Sequence, residues 1–197
     1  TIPELILKAD KLQIVAVVDS FLIADLLDSL AASNRMLCRD QPHGLIPSEA
    51  AVAFLAGPLT DTATQPLAVL HACFSAQEDQ DLRRPDGLLG QPLAGLVHRL
   101  LVSGHAPQRL LSDLNGERWR SEEIAVLLAR HANRLPDDLP SHIEAPASQL
   151  GYCGAAMSGV LLALACIPAP DAPVGQKDKA LIVVSQDPAF LDAIGVS

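Results

Sequence analysis

Residues 109–123 read RLLSDLNGERWRSEE, and residues 145–166 read APASQLGYCGAAMSGVLLALAC. In each, a hydrophobic segment delivers a polar turn and the turn opens a helix. Leu110 and Leu111 form a short apolar segment that breaks at Asp113-Leu114-Asn115-Gly116. Ser121-Glu122-Glu123 is then expected to start a helix, because a hydroxyl caps free amides and carboxylates complement the positive helix end. The second unit places Ser148, Gly151, Tyr152 and Gly154 before an apolar helix. Polar groups gathered at strand ends and helix starts of an α/β layer are where such folds bind ligands.

Working outward, the chain alternates between strand and helix signals. Ile2, Leu5 and Ile6 have the spacing of a short helix, with Pro3 tolerated in its first turn. Ile14 to Val18 is a continuous, mostly β-branched run, the pattern of a strand buried on both faces. It ends at Asp19-Ser20, a cap for a helix over Phe21 to Ala32. Residues 50–57, AAVAFLAG, predict a strand closed by Gly57-Pro58, and Pro66 to Phe74 a second one, the two forming an antiparallel hairpin. The acidic stretch from Glu78 to Asp81 reads as an exposed loop. Leu88 to Val102 carries a wide apolar stripe and ends at Gly104, a helix C-cap signal. A Pro-rich link, IPAPDAPVG at 167–175, precedes a last strand, ALIVVS at 180–185. The expectation is one α/β domain over residues 1–197, with a mainly parallel layered sheet and helices on both faces.

Composition excludes several function classes. Of the 197 residues, 49% are hydrophobic, which suits a packed core. The formal charge of −9 with scattered Lys and Arg argues against a nucleic-acid partner. No apolar run approaches the roughly 20 residues of a membrane span, and no leader pattern opens the chain, so a cytoplasmic location is expected. The four cysteines, Cys38, Cys73, Cys153 and Cys166, form no C-x-x-C pair and read as buried free thiols. The six histidines form no H-x-x-x-H pair, so neither a metal site nor a cofactor is expected. GYCGAAMSG lacks the spacing and the Gly-Lys-Ser/Thr ending of a phosphate loop.

The two units also carry a family resemblance. LGYCGAAMSGVLLALA resembles the G-H-x-x-G-A-A-G helix of the β-ketoacyl-acyl-carrier-protein synthases, and SDLNGERWRSEE resembles the turn that carries their first histidine. Upstream, VVDSFL is similar to their G-V-D-S strand end, and HGLIPSEAAVAFLAGP to their G-F-x-P-G-E-A-A hairpin. The resemblance implies a thiolase-like layered fold, with this chain as the C-terminal part of a two-lobed ketosynthase-like protein. It implies acyl transfer and condensation on acyl-thioester or acyl-carrier-protein substrates, and a homo- or heterodimer.

The same resemblance shows what is missing. The nucleophilic cysteine of the family precedes the G-V-D-S strand, and this chain has no cysteine before Cys38, which lies after it. Asn115 stands where the first histidine belongs. The second motif is one residue short before GAA, leaving Tyr152, or less plausibly Gly151, in the second histidine's place. The lysine upstream of that motif is absent from APASQ. Asn115 and Tyr152 are thus the candidate site residues. Asn115 can donate to a thioester oxygen but cannot act as acid or base. The alternative at residue level is that Asn115-Gly116 makes a tight turn and Tyr152 packs.

Cys153, at an expected helix start, would have a dipole-lowered pKa, with His131 or His142 as a partner in space. Its small neighbours favour a packed thiol instead. Glu117, Arg118 and Arg120 read either as a polar cluster that orients a ligand or, the favoured expectation, as a solvated helix entrance with weak local ion pairs. Two functional readings stand: a condensing enzyme if completed by an N-terminal half, and a non-catalytic ketosynthase-like binding or dimerisation partner. A structural domain without ligand is a third.

Overall fold

The computed structural model describes residues 2–59, 65–76, 90–104, 106–139, 143–168 and 179–185. The elements are α1 (Ile2–Leu7), β1 (Gln13–Ser20), α2 (Ala24–Ala32), β2 (Glu49–Ala56), α3 (Gln91–Val102), β3 (Arg109–Ser112), α4 (Arg118–His131), β4 (Ile143–Glu144), α5 (Ala147–Leu150), α6 (Ala156–Ala165) and β5 (Ala180–Val183). The chain is α/β, with two small sheets among the described residues. One pairs β1 and β2 antiparallel, and the other has the order β4-β3-β5, with both neighbours parallel to β3.

The layering follows from α6. This helix is apolar around most of its circumference, as a helix between two layers must be. It packs on β1 and β2 on one side and on β3 and β5 on the other. Gly159 permits the approach, since a Cβ there would lie 2.7 Å from Val17 Cγ1 and 3.2 Å from Val52 Cβ. On the far side of the three-stranded sheet, α3 and α4 pack together, and Val97, Ile124 and Leu127 bury against Leu110, Leu181 and Val183. Leu110 and its neighbour Leu111, both fully buried, point to opposite faces of β3 and join two cores.

Several local expectations are corrected. Leu67 to Phe74 is not a strand: residues 65–76 form no ladder, and the antiparallel partner of β2 is β1. An apolar run signals a tendency to leave water and names no hydrogen-bonding partner. β1 is not buried on both faces, because Val15 points inward at 7% exposure while Ile14 and Val18 are each 76% exposed. The α2 helix starts at Ala24, not Phe21, since the Ser20 hydroxyl accepts the Leu22 N–H in a local turn and Phe21 is drawn into the core. The α4 helix starts at Arg118, not Ser121, for a reason that belongs to the site below. Gly104 does close α3, with φ +84° and its N–H on Leu101 O at 3.1 Å. Glu78 to Asp81, most of the Pro-rich link and His142 lie outside the described residues.

Candidate functional site

The site grows from the end of β3. Ser112 and Asp113 are 1% exposed, and the chain must then turn with no water to satisfy its backbone. Asn115 supplies the turn: its Oδ1 accepts the Glu117 N–H at 3.0 Å, an Asx-turn, and Gly116 follows at φ +96°. A side chain at Gly116 would meet Gly44 O at 2.5 Å, so the 36–45 loop is seated directly on this turn. Because the Asx-turn frees the chain to coil at once, α4 begins three residues before Ser121. Its N-cap is Glu117, whose side chain makes no cap bond.

Arg120, 2% exposed, is the hub. Its Nη1 donates to Asp113 Oδ2 and to the Ser185 carbonyl, and its Nη2 donates to Tyr152 Oη at 3.1 Å. Its Nε lies 3.5 Å from Glu117 Oε2. The guanidinium also sits 4.3 Å from the Trp119 ring centroid and 4.9 Å from that of Tyr152, within cation–π range. Around this centre, Asp113 Oδ2 accepts the Ser185 N–H at 2.9 Å. Glu117 accepts Arg35 Nε at 2.6 Å on Oε1 and Asn115 Nδ2 at 2.9 Å on Oε2. Arg35 and Arg120 thus face Asp113 and Glu117 in one largely buried cluster, and the buried Glu123 adds its charge to those acting on Arg120. The cluster ties together the end of β3, the first turn of α4, the loop after α2, the segment after β5 and Tyr152.

Tyr152 is held from several sides. Its N–H donates to Ile46 O at 2.7 Å, and its carbonyl accepts the Ser48 N–H at 3.0 Å. Gly151 before it has φ +80°, and a side chain there would lie 2.6 Å from Ser48 Cβ. Phe21 meets its ring edge-on at 5.2 Å. Just beyond, Asp19 Oδ2 accepts the Ala155 N–H at 2.7 Å, so the end of β1 anchors the approach to α6.

Electrostatics follow burial. Desolvation raises the pKa of Asp113, against the opposing Arg120 cation. Arg120 suffers desolvation too, but the charges of Asp113, Tyr152, Glu117 and Glu123 together outweigh it and raise its pKa. Glu117 is also desolvated, yet the hydrogen bonds from Arg35 and Asn115 prevail and lower its pKa below 4.5. Burial pushes the Tyr152 phenol up to about 12.

The structure therefore brings Asn115 and Tyr152 into one cluster and commits both to it. Asn115 uses its amide nitrogen and oxygen on Glu117, and the Tyr152 oxygen accepts from Arg120. Sequence reasoning did not mark Asp113 or Arg35 as site residues, and it set Arg120 at a solvated helix entrance. The solvated helix entrance holds only for Arg118, exposed and paired with Glu122, while Glu117 and Arg120 are buried.

Cys153 is packed, as its small neighbours favour, and the pKa-lowering helix start is what is corrected. Cys153 is buried, it precedes α6 by three residues, and desolvation raises its thiol pKa. His131 serves the other core, bonding Ala94 O at 2.8 Å and stacking on His98. Of the four free thiols only Cys153 is buried; Cys38 is exposed, and Cys73 and Cys166 are intermediate. Among the described residues no group of three or more metal-ligating side chains converges, and no helix is long and apolar enough to cross a membrane. No family model, curated protein or solved structure gives a significant match to the chain.

Proposed function

We propose that this protein is a thiolase-layered, ketosynthase-like module that does not condense acyl thioesters and acts as a binding or dimerisation partner. The resemblance of the four motifs supplies the family. A helix sandwiched between two sheets, as α6 is between β1–β2 and β3–β5, agrees with such layering. The observation that carries the non-catalytic reading is the use of Asn115 and Tyr152. Condensation needs a thiolate to hold the acyl group and free donors aimed at the thioester oxygens. Here Asn115 spends its amide donor on Glu117, the buried Tyr152 oxygen is occupied as the acceptor of Arg120, and the nearest thiol in sequence, Cys153, is buried with a raised pKa.

Incubation with acyl-thioester and malonyl-thioester substrates, followed by intact-mass analysis, tests the reading. The expected result is no covalent adduct and no condensation product. An acyl adduct on the wild type that disappears in Cys153→Ala would overturn it and make Cys153 the nucleophile.

A further inference from the structure

Asn115 and Gly116 form an Asn-Gly pair, whereas the other two asparagines, Asn34 and Asn133, are each followed by arginine. Asparagine before glycine is chemically labile in a flexible chain, because no side chain shields its carboxamide carbon from the next backbone nitrogen. In that reaction the Gly116 nitrogen bonds to Asn115 Cγ and gives its proton to water, while the Cγ–Nδ2 bond breaks and ammonia leaves. Water then adds to one carbonyl of the cyclic imide and cleaves its bond to the ring nitrogen, leaving aspartate or isoaspartate at position 115. The sum is amide plus water giving carboxylic acid plus ammonia, with no change of oxidation state.

The closed fold holds the pair against this chemistry. Asn115 is buried, and both polar atoms of its amide are engaged: Nδ2 donates to Glu117 Oε2 at 2.9 Å, and Oδ1 accepts the Glu117 N–H at 3.0 Å. These bonds fix the plane of the amide, whereas cyclisation passes through a tetrahedral carbon that tilts both atoms out of it. The attacking Gly116 nitrogen makes no hydrogen bond among the described residues. Its peptide is held instead by the 36–45 loop, since Gly44 O fills the space beside the Gly116 Cα. What preserves the amide is thus its pinned plane and the exclusion of water, and both depend on the closed cluster.

We propose that Asn115-Gly116 is a latent self-modification site: the closed cluster preserves the amide, and opening of the cluster exposes it to hydrolytic deamidation whose product cannot rebuild the cluster. Aspartate at position 115 puts a carboxylate oxygen where Nδ2 now donates, against Glu117 Oε2, and two buried like charges at that distance repel. Glu117 is held in place by its other oxygen, which accepts Arg35 Nε at 2.6 Å, so turning away forfeits that bond. Isoaspartate adds a methylene to the backbone, which lengthens the turn and unseats Gly116 from Gly44. The conversion is one-way, so the altered fraction records the time the cluster has spent open. The site is the same whether or not the protein condenses acyl thioesters.

Peptide mapping of the full chain after incubation in mildly alkaline buffer tests this, by reading the aspartate and isoaspartate fractions at position 115. The folded wild type should convert at least about tenfold more slowly than the same chain in urea, because reaction requires opening. Arg120→Ala, with circular dichroism still native, should convert at least about tenfold faster than the folded wild type. Should that variant not fold, Arg35→Ala removes only the partly exposed cation on Glu117 and should raise the rate about 2- to 5-fold. Asn115→Asp, made directly, should lower the urea midpoint by about 1 M or prevent folding. Equal rates in the folded and urea-unfolded chains would overturn the proposal. So would a folded rate that neither arginine substitution raises, and so would Asn115→Asp as stable as the wild type.

Discussion

The end of β3 and the outer face of the β1–β2 ribbon invert the usual distribution of side chains. The first buries Asp113, Asn115, Glu117 and Arg120 at 1 to 5% exposure, and the second leaves Ile14, Val18 and Leu55 mostly in water. Their energetics differ accordingly. In the interior cluster each charged or amide group named above has a partner within the chain, so the cluster presents little to a ligand. On the ribbon the apolar groups of that face stay exposed among the described residues, with no side-chain hydrogen bonds to lose. The catalytic-looking turn is thus a structural joint, and the plain-looking strand pair keeps its apolar side chains at the surface.

Breaking the joint should produce the largest effect. Arg120→Ala leaves Asp113 and Glu117 buried without their common cation and cuts the tie to Ser185 O and Tyr152. The expected loss is about 3–5 kcal/mol in urea unfolding, the range for stranding one member of a buried ion pair. A loss under about 1 kcal/mol would place the cluster in contact with water and undo the contrast with the ribbon.

Glu117→Gln should cost less, about 1–2 kcal/mol, because the amide still accepts a bond but loses the charge that Arg35 meets. It also isolates a pH effect. The folded pKa of Glu117 lies below 4.5, so its contribution is fully present above pH 4.5 and fades as pH falls through the lower folded value. Asp113, raised above 3.8, has the opposite sign: ionising it in the fold opposes stability as pH rises through its folded pKa. Urea midpoints between pH 3 and 6 should therefore fall more steeply toward acid in the wild type than in Glu117→Gln. Equal slopes would show that Glu117 is not the residue responsible.

Much of the fold was legible in the sequence. The apolar segment Leu110-Leu111 before the turn lies in a strand, Arg109–Ser112, and the apolar helix after Gly154 lies between layers, because an all-round apolar helix has no solvent face to keep. The thiolase-like assignment rests on the motif resemblance and not on these elements alone. The pairing of β2 was not legible, since Pro66 to Phe74 and Ile14 to Val18 are similarly apolar and only tertiary geometry chose between them. Nor was one-sided burial of β1, whose branched residues lack the polar alternation that would have announced it.

At the site, Asn115 and Tyr152 were found through the resemblance, and their convergence was not visible in spacing. Arg120 did leave a signal. The buried stripe of α4, Ile124, Leu127 and His131, extended back by four residues, lands on Arg120. A charged residue on a core face requires buried partners, and Glu117 and then Asp113 are the two nearest acids upstream in the chain.

Tyr152 offers the most direct test of the claim that the candidate catalytic position is locked in the interior. The chain contains a single tyrosine, so phenolate absorbance during an alkaline titration reports this side chain alone. Burial raises its pKa from 10.0 to about 12. The neutral phenol's contribution, about 2–3 kcal/mol, is thus present below pH 10 and lost as pH rises toward 12. The predicted result is ionisation near pH 12, or at whatever lower pH circular dichroism shows the fold itself to open. Ionisation near pH 10 with the circular dichroism still native would contradict the account and return Tyr152 to the role of an accessible site residue.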